Sequence, residues 1–260
     1  MKLFKKLTWS ILLASCVLVF TACSDDDNGD DITPPTIMQP KFVSDMSMSY
    51  RDGLLTKIAT TDGKTITFDY STKSRSSSES MKMTIEYDDD PKDIRHFDMQ
   101  LNSNGYIKSC IQTYADNNDV ETWEFEYDSD GHLVQMKRSE GNNEVTTIKY
   151  ESGNITKVSM TSDEDDNTLN AKVFYTSIEN KNNIMLFDIT FGIDMDEMKY
   201  AYWAGLLGNA TKQLPVKITY NENSDEEEAE TFEWTIKNDY VQKMIQITSW
   251  GTEEHFFTWE

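Results

Sequence analysis

From Thr122 to Met136 the chain reads TWEFEYDSDGHLVQM, with Trp123, Phe125 and Tyr127 alternating with Glu124, Glu126 and Asp128. Successive side chains of a strand point to opposite faces, so the three aromatics share one face and the acids the other. Asp130-Gly131 is expected to supply the positive φ angles of a tight two-residue hairpin turn, after which Leu133 and Met136 carry the apolar face onto the return strand. The same unit recurs as MSMSYRDGLLTKI from Met46, ITFDY after Asp62-Gly63, MKMTIEYDDD, FDMQLNSNGYIKSCI and TIKYESGNITKVSM. Six of the eleven glycines (Gly53, Gly63, Gly105, Gly131, Gly141, Gly153) sit in these turns. From Leu101 to Tyr127 is 26 residues and from Tyr127 to Tyr150 is 23, so one hairpin repeats about every two dozen residues. Connections this short make neighbours in sequence neighbours in space, which predicts an antiparallel meander.

The rhythm breaks once. In DMDEMKYAYWAGLLG, Asp194 to Gly208, Asp194 is placed as an N-cap with Glu197 three residues on, Met195, Met198, Tyr202 and Leu206 recur at helical spacing, and Gly208 reads as the stop. Its second half is apolar on nearly every side, so this helix needs a cover. LPVKITYN, TFEWTIK, DYVQKMIQITSW and EEHFFTWE then return to alternation. The predicted fold is all-β, an antiparallel meander of about fifteen strands curled into a barrel-like or half-open sheet because a twisted sheet of that size cannot stay flat. The helix at about 194–208 plugs or caps it. A membrane-spanning barrel with apolar residues outward is the rival, disfavoured because strands near eight residues fall short of the roughly 9 to 11 required.

The N-terminus changes the picture. Residues 1–22 place Lys2, Lys5 and Lys6 before an apolar run from Leu7 to Phe20, the layout of a signal peptide and too short to span a bilayer comfortably. Phe20-Thr21-Ala22-Cys23 resembles the bacterial lipobox, with Phe20 where Leu or Val is usual, and this resemblance implies an acyl anchor on Cys23. Ser24, Asp25, Asp26 and Asp27 follow, similar to the surface-export signal of lipoproteins in some gut anaerobes. The expected division is a lipoprotein signal peptide (1–22), an acidic, proline-rich tether (23–41) and one β-meander domain (42–260), lipid-anchored to the outer membrane and facing the cell exterior. Formal charge is −22, and loss of Lys2, Lys5 and Lys6 with residues 1–22 leaves 21 bases against 46 acids, or −25. Such a surface repels phosphate backbones, so no nucleic-acid partner is expected.

The Tyr-to-Gly hairpins and the block AYWAGLLGNATKQLPVKITY resemble a family of bacterial lipoproteins, domain of unknown function 4595, over roughly Phe42 to Glu260. The resemblance implies a porin-like fold. It carries no assigned activity, so it transfers no site residue.

Candidate chemistry is sparse. Cys16 leaves with the signal peptide and Cys23 is the lipid site, which leaves Cys110 alone as a small buried hydrophobe with no disulfide to make. His96, His132 and His255 lack metal-ligand spacing. Asp88–Asp90, Asp163–Asp166 and Asp225–Glu228 gather carboxylates, yet none has the spaced ligands of a calcium loop, and Asp128-x-Asp130-Gly131 fails at the closing position, Lys137. No catalytic residue, metal ligand or cofactor is expected. Trp123, Trp203, Trp234, Trp250 and Trp259 are weighed as a sugar-binding platform or as core, with core favoured for Trp123 and Trp234. The function expected is a non-catalytic surface or envelope protein that binds a glycan or protein ligand. The alternatives are a carrier of a lipid or other apolar ligand inside the barrel, for which Met46, Met48, Met81, Met83 and Met195 would serve, and a polysaccharide hydrolase using paired carboxylates.

Overall fold

The computed structural model describes residues 38–70, 80–116, 119–139, 143–163, 169–184, 195–222, 224 and 227–260. Residues 1–22, Cys23, Ser24 to Asp27, Gly141, Glu164–Asp166, Asp225 and Asp194 lie outside them. The strands are β1 (Pro40–Val43), β2 (Met46–Arg51), β3 (Leu54–Thr60), β4 (Lys64–Asp69), β5 (Ser80–Tyr87), β6 (Ile94–Leu101), β7 (Ile107–Tyr114) and β8 (Val120–Tyr127). They continue as β9 (Leu133–Arg138), β10 (Glu144–Glu151), β11 (Asn154–Thr161), β12 (Leu169–Glu179), β13 (Gln213–Tyr220), β14 (Glu228–Lys237), β15 (Tyr240–Thr248) and β16 (Gly251–Trp259). Each pairs with its sequence neighbour, and β1 pairs antiparallel with β16, so the meander is a closed barrel of sixteen strands. The count exceeds the expected total of about fifteen, and the stretches read as strands leave out β12 and β1, whose first residues, Pro40 and Lys41, fall in the span read as tether.

The alternation fixes which face is which. In β8, Trp123 and Phe125 are buried inside while Thr122, Glu124 and Glu126 face out; β5 likewise buries Met81, Met83 and Ile85 and exposes Lys82 and Glu86. The outer wall carries cross-strand ion pairs such as Lys82–Asp98 at 2.7 Å and Lys243–Glu254 at 3.1 Å. A wall that crosses lipid bears the opposite pattern, since each outward lysine at a bilayer midplane costs roughly 2–4 kcal/mol. This wall is built to face water.

Turn chemistry follows the sequence in some hairpins and not in others. Asp52-Gly53 joins Arg51 to Leu54 with φ angles of 53° and 77°, the two-residue geometry expected. The Asp130-Gly131 hairpin is wider: Tyr127 pairs with Leu133, leaving residues 128–132 in the loop. Asp128 Oδ1 accepts the backbone N–H groups of Asp130 and His132, both at 2.9 Å, which holds the wider loop shut. Asn102 Oδ1 does the same for Asn104 and Tyr106 in the β6–β7 loop.

One end of the barrel is tied by aromatic donors. The hydroxyls of Tyr50, Tyr70 and Tyr127 donate to the carbonyls of Pro40, Leu55 and Ile107, each at 2.8 Å. The indole N–H groups of Trp234 and Trp259 donate to Pro215 and Val241, both at 2.7 Å. At each of these carbonyls the pairing register shifts, so the aromatic at the end of one strand satisfies an acceptor beside a bulge.

The lumen is filled by Met195 to Thr211, in which Met198, Ala201 and Leu207 are fully buried. The expected helix over Asp194 to Gly208 is shorter: a 3-10 turn, Asp196–Met198, leads into α1, Lys199–Trp203. It stops at Gly205 rather than Gly208. Gly205, at φ 73°, sends its N–H to Tyr202 O (2.9 Å), and Leu206 sends its own to Ala201 O (3.1 Å), a Schellman closure. The Glu197 carboxylate receives the Tyr87 hydroxyl at 2.9 Å and the Arg95 guanidinium, which ties the 3-10 turn to β5 and β6. At the other end Leu206 O accepts from Ile107 N (2.9 Å) and Asn209 N donates to Gly131 O (2.8 Å). The plug is thus fastened to both rims.

Candidate functional site

At the foot of the plug, among the described residues, lies a cavity of about 230 Å³. The plug gives it one wall, with Tyr200, Tyr202 and Trp203 from α1 and Met195 before it. The barrel gives the other: Ser44 and Asp45 from the β1–β2 turn, Thr60, Asp62 and Lys64 around the β3–β4 turn, and His255 from β16. Tyr200 and Tyr202 are buried and Trp203 is half-buried, so the aromatic side is rigid and the polar side is the wet one.

The polar wall is organised in pairs. Ser44 Oγ lies 2.8 Å from His255 Nδ1, across the seam that closes the barrel. Burial lowers the His255 pKa against the opposing pull of Glu253 and Asp45, so the imidazole is neutral at pH 7. Its Nε2 has Glu253 Oε2 3.9 Å away, beyond hydrogen-bonding distance, so the serine–imidazole contact lacks the orienting acid that a hydrolytic triad needs. Lys64 Nζ is 2.8 Å from Asp62 Oδ2, and the Thr60 hydroxyl donates to the other oxygen; these two bonds lower the Asp62 pKa.

The plug is also pinned by ion pairs inside the wall. Arg138, almost fully buried, donates from Nη1 to Asp196 Oδ2 at 2.9 Å, has Glu144 Oε1 3.5 Å from Nε, and lies 5.6 Å from the Trp123 ring centroid. Arg95 binds Glu197 and Asp93 in the same manner.

The structure separates most residues weighed from the sequence. Trp123 is in the core with its indole N–H on Gln112 Oε1 at 3.1 Å, Trp234 and Trp259 are wall fasteners, Trp250 is 87% exposed on the β15–β16 turn, and Trp203 alone of the five lines the cavity. Cys110 is buried, and burial pushes its thiol pKa up. The five methionines named for a carrier belong to the core, Met46 and Met195 also reaching the cavity. His96 lies outside on β6 beside Thr84. His132 stacks on Tyr150 at 4.4 Å between centroids and, with Asp128 and Asp130, offers ligand atoms within 4.8 Å of one another. That cluster is accounted for as a turn cap, since Asp128 Oδ1 holds two backbone N–H groups and Oδ2 is 3.1 Å from His132 Nδ1. An uncharged Asn102 does the same work in the matching loop. The polar wall residues carried no signal in the sequence, because Ser44 and His255 stand 211 positions apart.

No curated protein matches the chain. Among solved structures, the barrel is similar to a porin-like protein from Bacteroides uniformis ATCC 8492, with a TM-score of 0.63 and 18% identity over 83% of this chain and 89% of that one. It is also similar to a porin-like protein from Bacteroides vulgatus ATCC 8482, with a TM-score of 0.59 and 14% identity over 86% of this chain and 99% of the other. Residues 46–245, which span all of the plug and most of the barrel, match the family model of a domain of unknown function (DUF4595) with porin-like fold, and the chain belongs to that family.

Proposed function

We propose that the protein is a lipid-anchored envelope protein whose barrel binds an extracellular ligand without turning it over. One observation carries the reading: among the described residues the barrel is filled by its plug, with an outer wall rich in exposed ion pairs and an inside that is mostly apolar, and it opens a cavity at the rim. The chain enters the barrel at Pro40, on the end tied by aromatic donors, and the cavity lies at the other end. In this reading residues 1–22 are removed, Cys23 is acylated, and Ser24, Asp25, Asp26 and Asp27 direct the protein to the outer face of the outer membrane. Residues 23–41 then link the anchor to the domain, and the partner is an extracellular glycan or another envelope protein. Several acyl chains on one residue anchor firmly, because each buried methylene contributes about 0.8 kcal/mol. The apolar surface that an internal lipid carrier would offer is covered by the plug, so binding at the rim is favoured over carriage.

The full chain carrying Cys23→Ala tests the location. It should take up no fatty acid and be found either unprocessed, with residues 1–22 retained, or released as soluble protein that is monodisperse without detergent; fatty-acid labelling equal to that of the parent would refute the anchor. Binding is tested on the purified protein with a glycan array and with isolated envelope proteins. A ligand retained unchanged, and lost in Trp203→Ala and Asp45→Asn, is the expected result, while release of a cleaved product would replace binding by catalysis.

A further inference from the structure

We infer that the rim cavity takes an uncharged pyranose unit, such as the terminal sugar of a glycan, stacked on Trp203 with its hydroxyls turned to Asp45 and the Ser44–His255 pair. This rests on the binding reading above and names its ligand. A pyranose ring has one face of C–H groups and an edge of adjacent hydroxyls, so it needs an aromatic surface on one side and carboxylate, hydroxyl or imidazole groups on the other. The cavity is divided in that way. Trp203 and its neighbours on α1 form the apolar side, and the two turns supply the polar one. A wholly apolar ligand would leave Asp45, Ser44 and His255 without compensation for lost water.

Charge narrows the class further. An acidic sugar requires a cation, yet Lys64 is engaged by Asp62 at 2.8 Å and His255 is held neutral by burial. Lys199 lies against the Tyr200 ring, 5.9 Å from its centroid. Asp45 and the formal charge of −22 repel a carboxylate or sulfate approaching the rim. The aromatic side is also preformed: Tyr200 and Tyr202 are buried, and the plug that carries Trp203 is fastened at both ends, so little ordering opposes a small ligand.

The test titrates the full chain with methyl β-glucopyranoside, methyl β-galactopyranoside and N-acetylglucosamine, and with glucuronate as the anionic probe, following saturation transfer by NMR. At least one uncharged sugar should bind with a dissociation constant on the order of millimolar, a strength suited to one small ring. Asp45→Asn, at an exposed rim position, and Trp203→Ala should each weaken it about tenfold, Trp203→Phe should retain most of it, and glucuronate should bind at least about tenfold more weakly. If Trp203→Ala fails to fold, Asp45→Asn alone decides. Absence of binding by all three uncharged sugars, or binding unchanged by Asp45→Asn, overturns the inference. Retention of an envelope protein through the same two residues, with no sugar bound, would sink the pyranose and leave the binding reading standing. Silence in both experiments removes both.

Discussion

Gly208 lies so close to Gly131 that a Cβ built on it would overlap the Gly131 carbonyl oxygen, where the plug meets the β8–β9 loop. The same carbonyl accepts the Asn209 N–H at 2.8 Å, and Asn209 Nδ2 reaches Asp130 O at 2.6 Å, so contact and register are set together. Gly208 also sits at φ 88°. In Gly208→Ala a left-handed backbone strain of about 1–2 kcal/mol adds to an overpacking penalty of about 1–3 kcal/mol. Gly53→Ala, at φ 77° with nothing within 4 Å of the new methyl, should lose the first of these alone. Urea unfolding of the two variants gives the comparison, and equal losses would mean that the plug-to-loop contact is dispensable.

Arg138 joins the plug to the wall, being bound to Asp196 and beside Glu144 with only 7% of its side chain exposed. Removing one partner from a buried ion pair strands the others, and Arg138→Met should cost about 3–5 kcal/mol. Arg138→Lys should recover little of it, because one ammonium cannot serve two carboxylates and the Trp123 ring as a planar guanidinium does. Denaturant midpoints at matched m-values check both; a Met variant as stable as the parent would show that the pinning is idle.

The pH dependence has a defined sign at His255. Its folded pKa lies below the unfolded value of 6.5 because burial disfavours the charged form. The unfolded chain therefore binds more protons just below pH 6.5, and stability contributed by the neutral imidazole is full above that pH and declines as pH falls toward the folded pKa. Thermal midpoints measured from pH 7.5 to 5.5 should fall in the parent and fall less in His255→Gln. Parallel curves would place the titration elsewhere.

Cys110 should behave as a hydrophobe. With its thiol buried and its pKa raised by desolvation, it should resist iodoacetamide at pH 8 for hours and react fully once the protein is unfolded in guanidinium. Rapid labelling of the native state would mean that the β7 region of the wall opens.

The hairpin rhythm was legible in the chain because each strand obeys a two-residue period set by one apolar and one wet face, as Trp123 to Tyr127 display. The end of the helix was not, because Gly205 and Gly208 both sit at positive φ and only the lumen decides which one halts the helix. β1 escaped notice since four residues after a proline-rich stretch offer no period to read. The width of the Asp130-Gly131 turn depends on Asp128 reaching forward along its own loop, although the pattern Asn-Ser-Asn-Gly at 102–105 and Asp-Ser-Asp-Gly at 128–131 could have suggested that both loops share one geometry. The rim cavity was out of reach altogether, being assembled from Ser44, Asp62, Trp203 and His255, which no spacing rule connects.

The seam between β1 and β16 governs the order in which this molecule can come into being. Each hairpin closes a short loop, whereas the seam brings together Lys41 and Glu260, 219 positions apart, at a closure cost of roughly 5 kcal/mol for a flexible chain. A chain delivered N-terminus first, from a ribosome or through a membrane, must wait as an open ribbon with two unsatisfied edges until its last nine-residue strand, Gly251–Trp259, arrives. Because Ser44 stands on one side of that seam and His255 on the other, the cavity has no existence in a chain that stops short of β16, and a nascent molecule cannot bind before the seam has closed.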